Sequence, residues 1–198
     1  MRPSLFSLLL LLALAVPMVA QPGVAQQNAP GVKLHGFGAD LFASQKILLS
    51  NYCRLDFEGA RLQADGWSRI KPFTASKNNP EFNRVIVVSR YDIEMPEQSS
   101  ETLWVKYQAT GYYDEADGYV AAFQNERVAF RTHEQNGNLV VTEMLPQAPH
   151  VSARAAMEWF RARLSDPATP EPQRSHLKDA MEQVGKHVPQ PRVTASAQ

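Results

Sequence analysis

Residues 102–141 read TLWVKYQATGYYDEADGYVAAFQNERVAFRTHEQNGNLVV, and this stretch decides the fold. Apolar and polar side chains alternate along residues 102–113 and again along 127–133, which is typical of strands with one buried face. The Asn-Gly-Asn at 136–138 is a strong reversal signal, and an apolar run at 139–141 follows it. Strands joined by such short turns pair antiparallel, because parallel strands need a longer crossover. The stretch therefore predicts the centre of an antiparallel sheet.

A long helix is predicted ahead of this sheet. Along residues 40–64 the apolar positions recur at spacings of seven, four, three, four and three, which places them on one helix face. These positions are Leu41, Leu48, Tyr52, Leu55, Gly59 and Leu62. Gly66 is placed to end the helix. Residues 67–73 indicate a short second helix, and the β-branched run at 85–93 indicates a further strand.

The pattern returns to helix after the sheet. Ser152 is a plausible N-cap for a helix over residues 153–164, and residues 175–184 predict a last helix beyond a Pro-rich linker. The predicted fold class is therefore α+β. A long N-terminal helix packs on a curved antiparallel sheet of four or more strands, with one or two C-terminal helices.

The N-terminus predicts export. Arg2 precedes a Leu-rich apolar run that ends at Pro17, and small residues follow, which is the pattern of a cleaved signal peptide over residues 1–25. We then expect a flexible leader at 26–39, a single α+β domain at 40–165, and a Pro-rich linker, short helix and disordered tail at 166–198. The predicted location is secreted or, in a bacterium, periplasmic.

The composition excludes several classes of function. Basic and acidic residues number 20 each, which argues against a nucleic-acid-binding protein because that class needs a dominant positive charge. The N-terminal apolar run is too short to span a membrane and no other run approaches membrane length, so no membrane contact is expected after signal cleavage. The lone Cys53 excludes an internal disulfide framework. Phosphate-loop, dinucleotide and zinc motifs are absent from the sequence, so neither a cofactor nor a metal is expected.

The helix pattern indicates Asp56 as a candidate site residue. It lies near the apolar stripe, four residues after Tyr52, so the phenol and the carboxylate can meet over one pocket. A carboxylate in an apolar cavity has a raised pKa and can act as a general acid or base. The alternative is a structural role, in which Asp56 pairs with Arg54, Arg61 or a strand arginine.

Aromatic residues occur in every predicted element. They could line a ligand cavity with hydroxyl groups, or they could form the ordinary core of a small domain. Cys53 is expected to be an inert buried thiol. The aromatic residues in question are Tyr52, Trp67, Tyr91, Trp104, Tyr107, Tyr112, Tyr113, Phe130 and Trp159.

The order of these elements resembles the nuclear transport factor 2-like cone fold. A first helix carrying Tyr52 and Asp56, a short second helix and antiparallel strands share its plan, and HEQNGNLVVTEML at 133–145 is similar to its closing hairpin. The resemblance covers about residues 40–165. Two features depart from it: Leu139 and the valine after it stand where a tryptophan often follows the hairpin glycine, and a helix follows the last strand.

That resemblance implies a ligand site between the first helix and the sheet. The superfamily includes ketosteroid isomerase, scytalone dehydratase, polyketide cyclases and many exported bacterial domains. Its members bind small apolar or mixed-polarity molecules. If the chain shares this fold, Tyr52 and Asp56 face the cavity, and Tyr91 or Tyr107 joins them from the sheet. Fold alone does not carry function.

Three functions remain open at this point. The first is an exported soluble domain that binds a small ligand or a protein partner. The alternative is a cofactor-independent isomerase, dehydratase or cyclase, with Asp56 as acid or base and Tyr52 as hydrogen-bond donor. A scaffold that forms a homodimer through an exposed strip including Trp104 is the third.

Overall fold

The computed structural model describes residues 32–33, 39–94, 102–143 and 148–187. The predicted signal peptide, most of the predicted leader and the last residues of the predicted tail lie outside the described residues. Four α-helices and two 3₁₀ turns occur in the described part of the chain. They are α1 (Ala39–Phe57), α2 (Trp67–Ile70), α3 (Ala153–Ser165) and α4 (Glu171–Gly185), with 3₁₀ turns at Ala60–Leu62 and Lys71–Phe73.

The strands form one curled sheet with the order β1-β5-β4-β3-β2-β6. They are β1 (Val32–Lys33), β2 (Arg84–Glu94), β3 (Thr102–Asp114), β4 (Gly118–Gln135), β5 (Asn138–Glu143) and β6 (His150–Ser152). The pairs β2–β3, β3–β4, β4–β5 and β1–β5 are antiparallel. This confirms the α+β class and the predicted centre of the sheet.

One edge of the sheet corrects the prediction. The strand β6 runs parallel to β2, so the sheet is mixed rather than wholly antiparallel. The parallel direction arises because the chain leaves β5 near one edge and returns at the opposite edge, which is a crossover rather than a hairpin. The sequence pattern could not predict β6, because a strand of three residues is too short to show an alternation of apolar and polar side chains.

The sheet is covered on both faces. Successive side chains of β2 point to opposite sides, so Ile86 and Val88 pack against the core under α1, whereas Val85 and Val87 pack against α3 and α4. The α1 core holds Leu48, Leu49, Tyr52, Leu103, Val105, Tyr107 and Phe130. The second core holds Tyr113, Tyr119, Val151, Phe160, Leu177, Ala180 and Val184.

Irregularities in β2 and β3 lie at the same level of the sheet. The register shifts around Val88 in β2 and between Ala109 and Gly111 in β3, which leaves Ser89 and Thr110 outside the ladder. Such bulges bend strands and increase their twist. Both strands are therefore irregular at this level, beside the end of α1 and the start of α3.

Three element bounds differ from the sequence-based expectation by four residues or more. The helix α1 ends at Phe57 rather than at residue 64, because Gly59 takes a left-handed conformation with φ of 81°. The strand β4 begins at Gly118, well before the predicted 127, since its first half is largely exposed and shows no alternation. The helix α4 begins at Glu171 rather than 175 and buries one face in the second core.

In the described residues, no helix is both long enough and apolar enough to cross a membrane.

Gly59 is expected to tolerate no side chain. A Cβ there would lie 2.8 Å from Ala155 Cβ in addition to facing the unfavourable φ, whereas a Cβ at Gly137 (φ of 75°) meets nothing within 4 Å. We predict that Gly137→Ala costs about 1 kcal/mol of unfolding free energy through the backbone alone. Gly59→Ala should cost about 2–4 kcal/mol, because overpacking against α3 adds to the same backbone cost. Urea denaturation of both variants measures the difference, and equal losses would contradict the close approach of Gly59 to α3.

Candidate functional site

The inner face of α1 buries a polar cluster rather than a purely apolar stripe. Tyr52 and Asp56 are both 0% exposed, one helical turn apart as their spacing predicts, and Cys53 between them is 1% exposed. The Tyr52 ring meets Phe130 of β4 edge-on at 5.5 Å between centroids. Tyr52 and Asp56 therefore point into the interface between α1 and the sheet.

Asp56 bonds to the main chain of β6. Its Oδ2 accepts the His150 N–H at 3.0 Å, while Oδ1 has no hydrogen-bond partner among the described residues. Burial raises the pKa of Asp56, and the positive charge of Arg61 opposes that rise most strongly. The carboxyl group is thus held by a backbone donor from a strand distant in sequence.

Arg61 is the buried cation of the cluster, at 2% exposure. Its Nε donates to Asn79 Oδ1 at 3.0 Å, and the Asn79 amide donates back to the Arg61 carbonyl at 2.9 Å. Arg54 is another predicted partner of Asp56, but its guanidinium forms a surface salt bridge with Glu58 at 3.0 Å. Arg61 is therefore the arginine of the cluster whose charge acts on the Asp56 carboxyl group.

Tyr52 carries a buried hydroxyl with no well-formed hydrogen bond among the described residues. Burial raises the pKa of Tyr52 well above its usual value, Asp56 raises it further, and Arg61 opposes both effects. The phenol therefore stays protonated and keeps a donor available beside Asp56.

His150 completes the cluster, and the sequence analysis did not single it out. Its ring stacks on Tyr107 at 4.0 Å, and its Nε2 lies 3.1 Å from Glu126 Oε2. The hydrogen bond to His150 lowers the pKa of Glu126. No sequence pattern marks His150, because its neighbours come from α1, β3 and β4.

Tyr107 and Tyr91 occupy different positions relative to Asp56. The Tyr107 hydroxyl lies 3.5 Å from Cys53 Sγ, which places Tyr107 inside the cluster. Tyr91 is only partly buried and lies between Phe57 and Tyr107, at ring distances of 5.7 and 6.2 Å. The structure thus brings Tyr52, Asp56 and Tyr107 together, while Tyr91 lies on the margin.

An open groove lies beside this cluster, at the bulges of β2 and β3. We call it the bulge groove; its volume is about 400 Å³. Its lining residues are Phe57, Val88, Ser89, Thr110, Ser152, Ala153, Arg154 and His187. A second depression of about 380 Å³ shares Ser89 and Thr110 with it and includes Phe123, which is 71% exposed.

Two further features bear on the sequence-based expectations: a metal site, which is not expected, and an exposed strip including Trp104. Within the described ranges, no group of three or more metal-ligating side chains is close enough to hold an ion. Trp104, expected on an exposed strip, is partly covered by the Arg127 guanidinium at 4.1 Å from the ring centroid.

Comparisons with protein-family models, with curated proteins and with solved structures find no match to this chain. The resemblance to nuclear transport factor 2-like domains therefore stays a prediction.

Two replacements of Asp56 distinguish the effect of its charge on stability from the effect of its hydrogen bond to His150. Asp56→Ala leaves the His150 N–H without its acceptor and should cost about 1–3 kcal/mol. Asp56→Asn keeps an acceptor. Because the folded-state pKa of Asp56 is raised, the wild-type protein loses stability as pH rises from about 4 through that pKa, and Asp56→Asn lacks this loss.

The expected result is a stability difference between Asp56→Asn and wild type that shifts in favour of the variant as pH rises from about 4 to 8. Glu126, whose pKa shift has the opposite sign, is present in both proteins and cancels in the comparison. Chemical denaturation across this pH range measures the difference. A difference that does not change with pH would contradict the raised pKa.

Proposed function

We propose that this chain is an exported binding domain that takes up a small, mainly apolar molecule in the bulge groove. The observation that carries the proposal is the character of the groove, an open depression of about 400 Å³ with a mainly apolar surface. Ligand sites of small molecules span roughly 300–1,000 Å³ and are mostly apolar. Export enters the proposal from the predicted signal peptide.

The groove has a mainly apolar surface because its hydroxyl groups are already hydrogen-bonded within the protein. The Thr110 hydroxyl donates to the Val87 carbonyl at 3.2 Å, and Ser152 Oγ accepts the Ala155 N–H at 3.2 Å. Ser89 donates to Gln108. These hydroxyl groups therefore contribute little hydrogen bonding to a ligand. Burial of apolar surface, at about 25 cal/mol per Å², supplies the main attraction.

The buried cluster positions two walls of the groove. Phe57 follows Asp56 directly, and Ser152 lies two residues after His150, so the bond between Asp56 and His150 ties the end of α1 to the start of α3. Asp56 is a positioning residue in this proposal. Its burial supports that role over direct contact with a ligand.

The bulge groove does not lie where the resemblance implies a ligand site, which is between the first helix and the sheet. Nuclear transport factor 2-like domains hold their ligands under the first helix, whereas the bulge groove opens at the C-terminal end of α1. The space under α1 is occupied by Tyr52, Leu49, Tyr107 and Phe130. The proposed ligand is accordingly small and bound at the rim of the α1 core.

Filling the groove should abolish binding. We predict that Ser89→Trp, at an exposed bulge position that lines both depressions, weakens binding of the uncharged fluorophore N-phenyl-1-naphthylamine by at least tenfold. The physical reason is steric, since the indole occupies the volume offered to the ligand. A fluorescence titration of the purified protein measures the dissociation constant.

The matched control is Ser175→Trp, which adds the same side chain at an exposed position of α4 outside both grooves. It should bind the fluorophore like the wild-type protein. If Ser89→Trp and Ser175→Trp bind equally well, or if the wild-type protein does not bind the fluorophore, the proposed site is wrong.

One observation favours a second candidate function, a cofactor-independent proton-transfer enzyme. Asp56 Oδ1 is buried without a hydrogen-bond partner among the described residues, Tyr52 lies buried one helical turn away, and burial raises the pKa of Asp56. A substrate could supply the missing partner. Such an enzyme would have to open between α1 and the sheet, because both side chains are fully buried.

Cys53 reports whether that opening occurs. Its thiol is 1% exposed beside Tyr107, and burial raises its pKa to about 12. In a permanently closed cluster, 5,5′-dithiobis(2-nitrobenzoate) should react only at the rate of global unfolding, and the rate should match that measured by denaturant jump. Reaction much faster than unfolding would support the enzyme instead.

A further inference from the structure

The rim of the bulge groove has an uneven charge distribution. Among the residues that the structure describes, its lining includes the cation Arg154 and the imidazole of His187 but no carboxylate. The deeper lining is apolar, with Val88 and Ala153 buried. A groove of this kind favours a ligand whose two ends differ in polarity.

Arg154 keeps its terminal nitrogens available. Its Nε donates to Glu158 Oε1 at 3.0 Å, one helical turn away, and the described contacts of Arg154 use no other nitrogen. The Glu158 carboxylate thus orients the guanidinium without covering its outer edge. Two parallel N–H groups at that edge match the two oxygens of a carboxylate.

His187 adds a second donor from another element. It follows the end of α4, and its ring meets Phe123 edge-on at 5.4 Å. Arg154 and His187 therefore come from α3 and from the end of α4, and they meet at the mouth of a single groove. The described lining residues offer a cationic ligand no acidic partner.

We infer that the ligand of the bulge groove is an amphipathic carboxylate, with its apolar tail against Phe57 and Val88 and its anionic group at Arg154. This inference rests on the proposed function, since it names the class of ligand for that groove. It adds the requirement that the ligand carry an anionic group, which burial of apolar surface alone does not impose.

The test compares three probes with the same tail: octanoate, 1-octanol and octylammonium. Isothermal titration calorimetry of the purified protein should give octanoate about five- to tenfold tighter binding than 1-octanol, and octylammonium the weakest. Arg154→Gln should bring octanoate to the affinity of 1-octanol and leave 1-octanol unchanged. Arg161→Gln, the same substitution about 10 Å further along α3, should leave all three affinities unchanged.

The outcomes separate this inference from the proposed function. If 1-octanol binds and octanoate binds no better, or if Arg154→Gln and Arg161→Gln weaken octanoate equally, the carboxylate preference is overturned while the groove stands. If none of the three probes binds, or if Ser89→Trp leaves their binding intact, the proposed function fails as well.

Discussion

The bond from the His150 N–H to the Asp56 carboxylate joins residues 94 positions apart, and much of the structure is arranged around it. Placing a carboxyl group in a fully buried position is unfavourable unless its oxygens are satisfied. A backbone donor satisfies one oxygen, and Arg61 supplies a compensating charge. The position of β6 is thereby fixed relative to α1, and the start of α3 follows from it.

The same short strand couples the two cores. In β6, His150 faces the α1 side and stacks on Tyr107, while Val151 faces the second core under α3 and α4. A shift of β6 by one residue would exchange these two side chains and place an imidazole among the apolar residues of the second core. The different polarity of His150 and Val151 therefore favours the observed register of β6.

Local periodicity predicted much of the fold, and its failures have a common cause. Side-chain spacing alone placed Tyr52 and Asp56 on the buried face of α1, because a helix sets the positions of i and i+4 without help from the rest of the chain. His150 and the bulge groove could not be predicted in this way. They depend on a parallel pairing with β2 and on bulges whose residues, Ser89 and Thr110, look like ordinary strand positions in the sequence.

The contrast between the cluster and the groove bears on function. A proton-transfer residue has to reach its substrate, and Asp56 is enclosed by its own helix, by β6 and by the side chains of the α1 core. The groove is open to solvent and its walls begin one or two residues beyond the cluster, at Phe57 and Ser152. In the proposed binding function, the buried hydrogen bond holds two walls of the groove in place and gives a ligand a preformed surface, which reduces the entropy lost on binding. The cluster then contributes rigidity to the proposed site, and the charged groups at the rim would select the ligand.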